Sequence, residues 1–505
     1  MMVSVLLSRI LGVVREQVLA YMGGTNAEMD AYVAAFILPE FINHLLAGGF
    51  LSITFIPIFQ NHLIKGNIEK AWKIFSNLMT CGSLIMAGII ALCMIYSEDL
   101  LGLMGRHISN PAQLALTSRI TRVILPAQLF FYWGALLMAV QFANKRFFIP
   151  ALAPLFYNGG IIGGGLFLWS KIGIEGFAWG VLGGAFLGNV VVQIKGALHV
   201  GMRFKPLLNF RDEDLIKYVF LTLPFIVGMG MQFSNEILFR FFGSFLGEGA
   251  IASLNYSLRT MWALIGVFGQ AVGTASFPFI TQLAAEGKME DMNRLSQRVI
   301  TGIGITLIPI SAIMIALSPE VIAVLFQRGN FTILSTRSTA PVLSLYLLGA
   351  FSAGATTIII RNFYALQNTW LPMLISTIVT LLSIPIYWIL TKLMGAQGIA
   401  LAGSISMNAL FIILLLIWTR RHSNPKDLLI SIKTISKIVL ISLPAGLISY
   451  GLSYIFGSFV LPFSHETFLG NLFVGICAGL PPLLLTFFIM DLMGISNFRE
   501  KLKLK

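Results

Sequence analysis

The chain has 505 residues, 57% hydrophobic and 11% charged, with a mean hydropathy of +0.85. Soluble domains carry about 25% charged residues, so this composition cannot build a water-facing surface. Apolar runs near the roughly 20 residues that carry a helix across a bilayer recur from end to end. A transmembrane barrel is excluded, because its strands would alternate in polarity over about 10 residues. The expectation is an all-α polytopic membrane protein.

In chain order, spans are expected near 3–22, 29–60, 72–97, 116–143, 150–170, 175–195 and 214–245, then 250–284, 297–317, 338–364, 370–391, 397–419, 434–456 and 467–490, fourteen in all. Several exceed the bilayer thickness and would tilt or project. The first run has no basic leader and is interrupted by Arg9 and Arg15, so it reads as a retained span and not a cleaved signal peptide. Cys81, Cys93 and Cys477 lie inside apolar runs, with neither metal-ligand spacing nor a disulfide framework.

The net charge of +13 follows the same count. Most of the 34 Lys and Arg residues fall after even-numbered spans or in the C-terminal tail. Examples are Lys65, Lys70 and Lys73, then Lys205 and Arg211, then Arg420 and Arg421, then Lys501, Lys503 and Lys505. Few fall after odd-numbered spans, among them Arg106, Lys171 and Arg328. Excess positive charge marks the cytoplasmic side, so both termini are expected in the cytoplasm. The charge excess is an orientation signal, and nucleic acid is not an expected partner.

The two halves repeat at a nearly constant spacing. Pro57, Gly66 and Glu69 align with Pro278, Gly287 and Glu290, offset by 221. Ala143, Pro150 and Gly176 align with Ala365, Pro372 and Gly398, offset by 222. That spacing covers six spans, so both copies run in the same direction and form two parallel six-helix lobes. The expected lobes are residues 1–200 and 201–422, with two C-terminal helices and a basic tail in 423–505. A substrate site between parallel lobes and alternating access by lobe rocking are the natural mechanism.

Ionisable side chains within spans are costly and usually face a cavity or a partner. Arg9, Arg15 and Glu16 lie on span 1, Asp30 opens span 2 and Glu40 follows it. Glu236 and Arg240 share span 7 at the i, i+4 spacing of a helical ion pair. Arg119 and Arg122 begin span 4, where they could reach the outer interface. Arg9, Arg15 and Arg259 sit deep in the first two helices of a lobe. If those helices line the cleft, it is cationic and suits phosphate oxygens through guanidinium forks. Gly12, between Arg9 and Arg15, could permit a bend or a close helix approach. No Walker A loop, HExxH or nucleophile triad appears. The expectation is therefore not an enzyme, with no cofactor and no metal, driven by an ion gradient, the membrane potential or substrate supply.

These residues carry a family resemblance. Ser8-Arg9-Ile10-Leu11-Gly12 with Arg15, Asp30-Ala31, Leu38-Pro39 and Phe55-Ile56-Pro57 resemble the start of the MurJ (MviN) family. Leu325-Phe326-Gln327-Arg328-Gly329, Phe363-Tyr364-Ala365-Leu366-Gln367-Asn368-Thr369 and Gly247-Glu248-Gly249 with Asn255-Tyr256 extend the likeness over nearly the whole chain. The resemblance implies the fold of the multidrug/oligosaccharidyl-lipid/polysaccharide exporter superfamily. It also implies flipping of lipid II, a polyprenyl-diphosphate-linked peptidoglycan precursor, across the bacterial inner membrane in cell-wall synthesis. Arg9, Arg15 and Arg259 match cavity arginines implied to bind the diphosphate headgroup, and Asp30 matches the acidic residue opening span 2. Spans 13 and 14 are implied to hold the polyprenyl tail. Other membrane lipid, a coupling cation and a monomeric state complete the expected setting.

Three positions depart from the family pattern: Asn43 where arginine is common, Gly48 in place of a glutamate, and Trp262 where glutamate often follows the span 8 arginine. Arg240, with Glu236 and Asn43, is therefore an additional candidate for the site. Four functions stay open here. Two are flippases, for lipid II or for another polyprenyl-diphosphate glycan such as an exopolysaccharide unit. The others are a cation-coupled drug exporter of the same superfamily and a non-transporting scaffold.

Overall fold

Lipid offers backbone amides no hydrogen bonds, so each spanning segment must satisfy its own. Helix is accordingly the only regular structure among the described residues. The computed structural model describes residues 2–43, 50–104, 111–229, 234–422, 425–457 and 467–495. It divides into two compact units, Met1–Ala252 and Ser253–Lys505.

The first unit holds α1 (Met2–Gly23), α2 (Ala27–Ala34), α3 (Ile37–Ile42), α4 (Phe50–Ile64), α5 (Ile68–Ile95), α6 (Ser97–Met104) and α7 (Pro111–Ile124). It continues through α8 (Ala127–Ala143), α9 (Ala153–Ile172), α10 (Glu175–Ala185), α11 (Val192–His199), α12 (Glu213–Met229) and α13 (Ser234–Gly243). Pro126 ends α7 and caps α8, so span 4 is two helices in series. A π-helical stretch, Phe186–Val191, joins α10 to α11.

The core of this unit is aromatic. Phe59 and Trp72 meet edge to face at 5.1 Å, and Trp72 and Phe75 at 5.7 Å. Leu136, Leu137 and Val140 of α8 and Leu215 and Tyr218 of α12 complete the cluster. Such aromatic pairs add about 0.5–1.5 kcal/mol each beyond area burial. Helices α9 and α10 pack through glycine, as small residues allow between membrane helices. A Cβ at Gly164 would lie 2.5 Å from the Gly180 Cα.

The second unit begins within α14 (Ala250–Ile265) and continues through α15 (Ala271–Ala285), α16 (Met289–Ala316), α17 (Ser318–Phe326) and α18 (Ile333–Leu347). It ends with α19 (Ala350–Ala365), α20 (Trp370–Met394), α21 (Ala396–His422), α22 (Pro425–Ile455) and α23 (Phe468–Leu492). Gly446 packs against the Ala312 carbonyl and Gly479 against Leu317, which brings α22 and α23 close to α16.

Among the described residues, each expected span falls on a helix or a run of helices. Among the described residues nine are long and apolar enough to cross a membrane by length and composition, and ten if α18 and α19, bent by 42°, count as one. The expected spans outside that set are 1, 2, 7 and 8, the first two of each lobe and the carriers of the candidate charges. The duplication is visible in the backbone. Helices α5 and α16 each have 28 residues. Positive φ recurs at Gly66 and Gly287 (77° and 71°), at Gly173 and Gly395 (58° and 59°), and at the non-glycine pair Lys145 and Gln367 (57° and 58°). The first unit also takes in α12, which packs on α4 and α5.

Candidate functional site

Helix α1 is continuous from Met2 to Gly23, so its two arginines diverge. Six residues separate them by about 9 Å along the axis and roughly 120° around it. Arg9 is exposed, and a Cβ on Gly12 would meet nothing within 4 Å, so no neighbour approaches closely there. Arg15 turns toward α9. Its guanidinium donates to Asn158 Oδ1 at 3.0 Å and to Glu16 Oε1 at 2.5 Å. Asn158 Nδ2 in turn donates to the Ser8 carbonyl at 3.3 Å. Glu16 is buried, and its Oε2 has no hydrogen-bond partner.

Asp30 is buried on α2, a helix started by Asn26, whose Oδ1 accepts from the Met29 amide at 2.9 Å. Its two carboxylate oxygens accept from the Gly249 and Ala252 amides at 2.6 and 2.7 Å. They close the positive N-terminal end of α14, where a carboxylate is favoured. Gly249 has φ +81°, and a Cβ there would lie 2.5 Å from the Thr25 carbonyl oxygen, so glycine is required. Arg259 lies seven residues beyond Ala252 on the same helix and is half-buried.

Arg240 is 2% exposed. Its two terminal nitrogens clasp Glu40, one of them at 3.1 Å, while Glu236 lies farther off at 3.9 Å. The i, i+4 pair expected from sequence is therefore the weaker contact, and Glu40 on α3 is the main counter-ion. The arginine also lies 5.3 Å from the Phe239 ring centroid. A guanidinium neutralised this way is a poor substitute for a cavity cation. Asn43 follows α3, its amide bonded to the Pro39 and Glu40 carbonyls. Trp262 is half-buried on α14, and Gly48 lies outside the described residues.

At the start of span 4, Arg122 donates to the Met94 carbonyl at 3.1 Å and to Ser97 at 2.8 Å, and lies 3.4 Å from Glu98. Arg119 lies 3.3 Å from Glu175. These two are anchored on neighbouring helix ends. The structure thus groups Asp30 with the start of α14, Arg15 with Glu16 and Asn158, and Arg240 with Glu40. Arg9 and Arg15 stay on different faces of α1. Asn158 was missed in sequence, although a lone amide in an apolar span is a signal of its own.

Spans 1, 2, 7 and 8 of a duplicated helical frame carry the candidate charges, and comparison with known proteins gives the fold a family. The family described as "Lipid II flippase MurJ" matches residues 19–469. The chain belongs to that family. A relative from Borreliella burgdorferi, "Probable lipid II flippase MurJ", is 24% identical over 98% of this chain and 96% of its own length. One of the same description from Thermotoga maritima is 28% identical over 81% and 82%. A solved structure titled "Lipid II flippase MurJ, inward closed conformation" matches with a TM-score of 0.79 at 25% identity, covering 98% of this chain and 99% of that one. A multidrug resistance MATE family transporter of the MOP superfamily shares the fold, with a TM-score of 0.67 at 13% identity. MurJ membership agrees with a helical membrane fold along the whole chain.

Proposed function

We propose that this protein is a lipid II flippase of the bacterial inner membrane. It moves the polyprenyl-diphosphate-linked precursor from the inner to the outer leaflet by alternating access. The observation that carries this reading is the family match over residues 19–469, joined to a solved MurJ structure that covers nearly all of both chains. Arg9 and Arg259 bind the diphosphate headgroup, and their guanidinium forks suit its oxygens. Arg15, whose guanidinium is held by Asn158 and Glu16, presents its charge from a different face of α1. Asp30 positions α14, the helix that carries Arg259, and does not touch substrate. The polyprenyl tail stays in lipid beside α22 and α23, whose outward faces expose Leu440, Leu447, Leu469 and Leu480. The protein acts as a monomeric transporter, with both termini in the cytoplasm and a cation gradient or the membrane potential as its drive.

The test is reconstitution in liposomes with labelled lipid II. Wild-type protein should flip it, and Arg9→Ala and Arg259→Ala should each slow flipping at equal incorporation. Wild-type rates in both variants would remove the headgroup assignment. A second reading, another polyprenyl-diphosphate glycan, is favoured by the departures at Asn43 and Trp262. Offering an exopolysaccharide precursor in the same liposomes separates the two.

A further inference from the structure

Polar side chains gather where the first turns of α16 meet the last turns of α19 and α21. Asn293, Ser296, Asn362, Trp418 and Thr419 are all buried there. Asn293 is engaged at both ends of its amide. Its Nδ2 donates to the His422 carbonyl at 2.5 Å, and its Oδ1 accepts from Trp418 Nε1 at 2.9 Å. Ser296 Oγ donates to Asn362 Oδ1 at 2.9 Å, and Thr419 Oγ1 to the Leu415 carbonyl at 2.9 Å. At the 221- and 222-residue offsets Asn293, Ser296 and Asn362 become Trp72, Phe75 and Val140. Those three are buried apolar side chains, with Trp72 and Phe75 edge to face at 5.7 Å. One copy of the joint is closed by rings, and the other by amides and hydroxyls.

The polar copy leaves space. Its five buried polar residues wall a cavity of about 30 Å³, completed on the apolar side by Ile300, Ile359 and Ile435. A water needs at least about 10–15 Å³ and two to four polar partners. Bonding capacity is also left over. An amide nitrogen has two hydrogens to give, and a hydroxyl oxygen has two lone pairs. The bonds above use Asn362 Oδ1 and the hydroxyl hydrogens of Ser296 and Thr419. Among the described residues, the Asn362 amide hydrogens and the lone pairs of both hydroxyls remain open. Burying such groups without a partner is costly.

We infer that this cavity is a binding site for one or two structural waters, which join α16, α19 and α21 where the first unit packs aromatic rings. A water here accepts from the Asn362 amide and donates to Ser296 Oγ and Thr419 Oγ1, the usual set of about three bonds. The volume excludes an organic ligand, which needs roughly 300 Å³ or more. A metal cation is poorly served. No carboxylate lines the cavity among the described residues, and the open amide hydrogens oppose positive charge. The second unit thus keeps a hydrated joint at the place where the first unit is dry.

Two tryptophans of similar burial supply the reporters: Trp418 beside the cavity is 4% exposed, and Trp72 in the dry joint 6%. An X-ray pulse splits water into hydroxyl radicals that oxidise the side chains touching it, and mass spectrometry locates the oxidation. The full chain in phosphatidylcholine nanodiscs is mixed with heavy-oxygen water milliseconds before the pulse. Trp418 should oxidise several-fold faster than Trp72. It should carry the original oxygen isotope, while exposed His199 carries the heavy one. Ser296→Ala with Asn362→Leu should bring Trp418 down to the rate of Trp72. The wild-type comparison stands even where that variant fails to fold. Equal protection of the two tryptophans overturns the proposal, as does unchanged Trp418 oxidation in a folded double variant. Heavy oxygen at Trp418 as complete as at His199 overturns it in favour of a crevice open to bulk water. A melting midpoint raised by sodium over choline in the wild type but not in Asn362→Leu overturns it in favour of a cation. None of these readouts depends on lipid II.

Discussion

Arg240 and Glu40 face each other across 200 positions of sequence, the guanidinium of one wrapped on the carboxylate of the other and sealed from solvent on the arginine side. Removing one partner of a buried ion pair leaves an uncompensated charge, at a cost of about 3–5 kcal/mol. Glu40→Ala should therefore lower the thermal midpoint of the nanodisc-embedded protein sharply, and Arg240→Ala by a similar amount. The double variant Glu40→Leu with Arg240→Met should recover most of it. Arg240→Lys should not, because an ammonium cannot reproduce the bidentate geometry. Loss in the double variant as large as the sum of the single losses would contradict the pairing.

Asp30 gives both oxygens to the first amides of α14. Replacing an N-terminal cap by alanine costs about 0.5–2 kcal/mol, and the lost charge–dipole term adds to it. Asp30→Ala should be the more destabilised variant and Asp30→Asn the milder, since an amide keeps one acceptor. If Asp30 only positions α14, Asp30→Asn should retain measurable lipid II flipping. A null Asp30→Asn variant with a wild-type melting curve would instead mark the carboxylate as a direct participant in transport.

Glu320 and Glu98 occupy matching places at the starts of α17 and α6, yet their surroundings differ. Glu98 is exposed beside Arg122. Glu320 is 3% exposed; Ser453 of α22 donates to it, and its Oε2 has no hydrogen-bond partner. The C-terminal helix pair has covered a surface left open in the other copy. Ser453→Ala should cost about 1–3 kcal/mol, the penalty for stripping a buried acceptor of its donor. The same change in a Glu320→Leu background should cost close to nothing. A double-mutant cycle by thermal denaturation measures the difference.

The helical spans were legible because lipid imposes one strong rule, long apolar helices with backbone groups paired inside them. The duplication was legible because glycine and proline mark backbone geometry that both copies kept. The site was legible only in part. Arg9, Arg15, Asp30 and Arg259 stand out as charges in apolar helices. Their partners do not. The i, i+4 spacing points Arg240 to Glu236, and only the packing of α3 against α13 brings Glu40 to it. Asn158 is a single amide whose role depends on which face of α9 meets α1. The non-helical stretch 203–212 before α12 is invisible to periodicity, since its backbone is held by Ser76, Asn77 and Thr80 of α5 and not by a repeat of its own.

The left-handed residues Lys145 and Gln367 hold the same turn in two copies, and neither is glycine. An L-residue with a Cβ pays roughly 1–2 kcal/mol for that conformation. Both turns were kept through divergence with the less favourable residue in place. Lys145→Gly and Gln367→Gly are accordingly two stabilising changes open to an engineer, far enough apart in sequence to be tried separately and then combined. For a membrane protein that must survive extraction into detergent, such unclaimed stability is a practical resource.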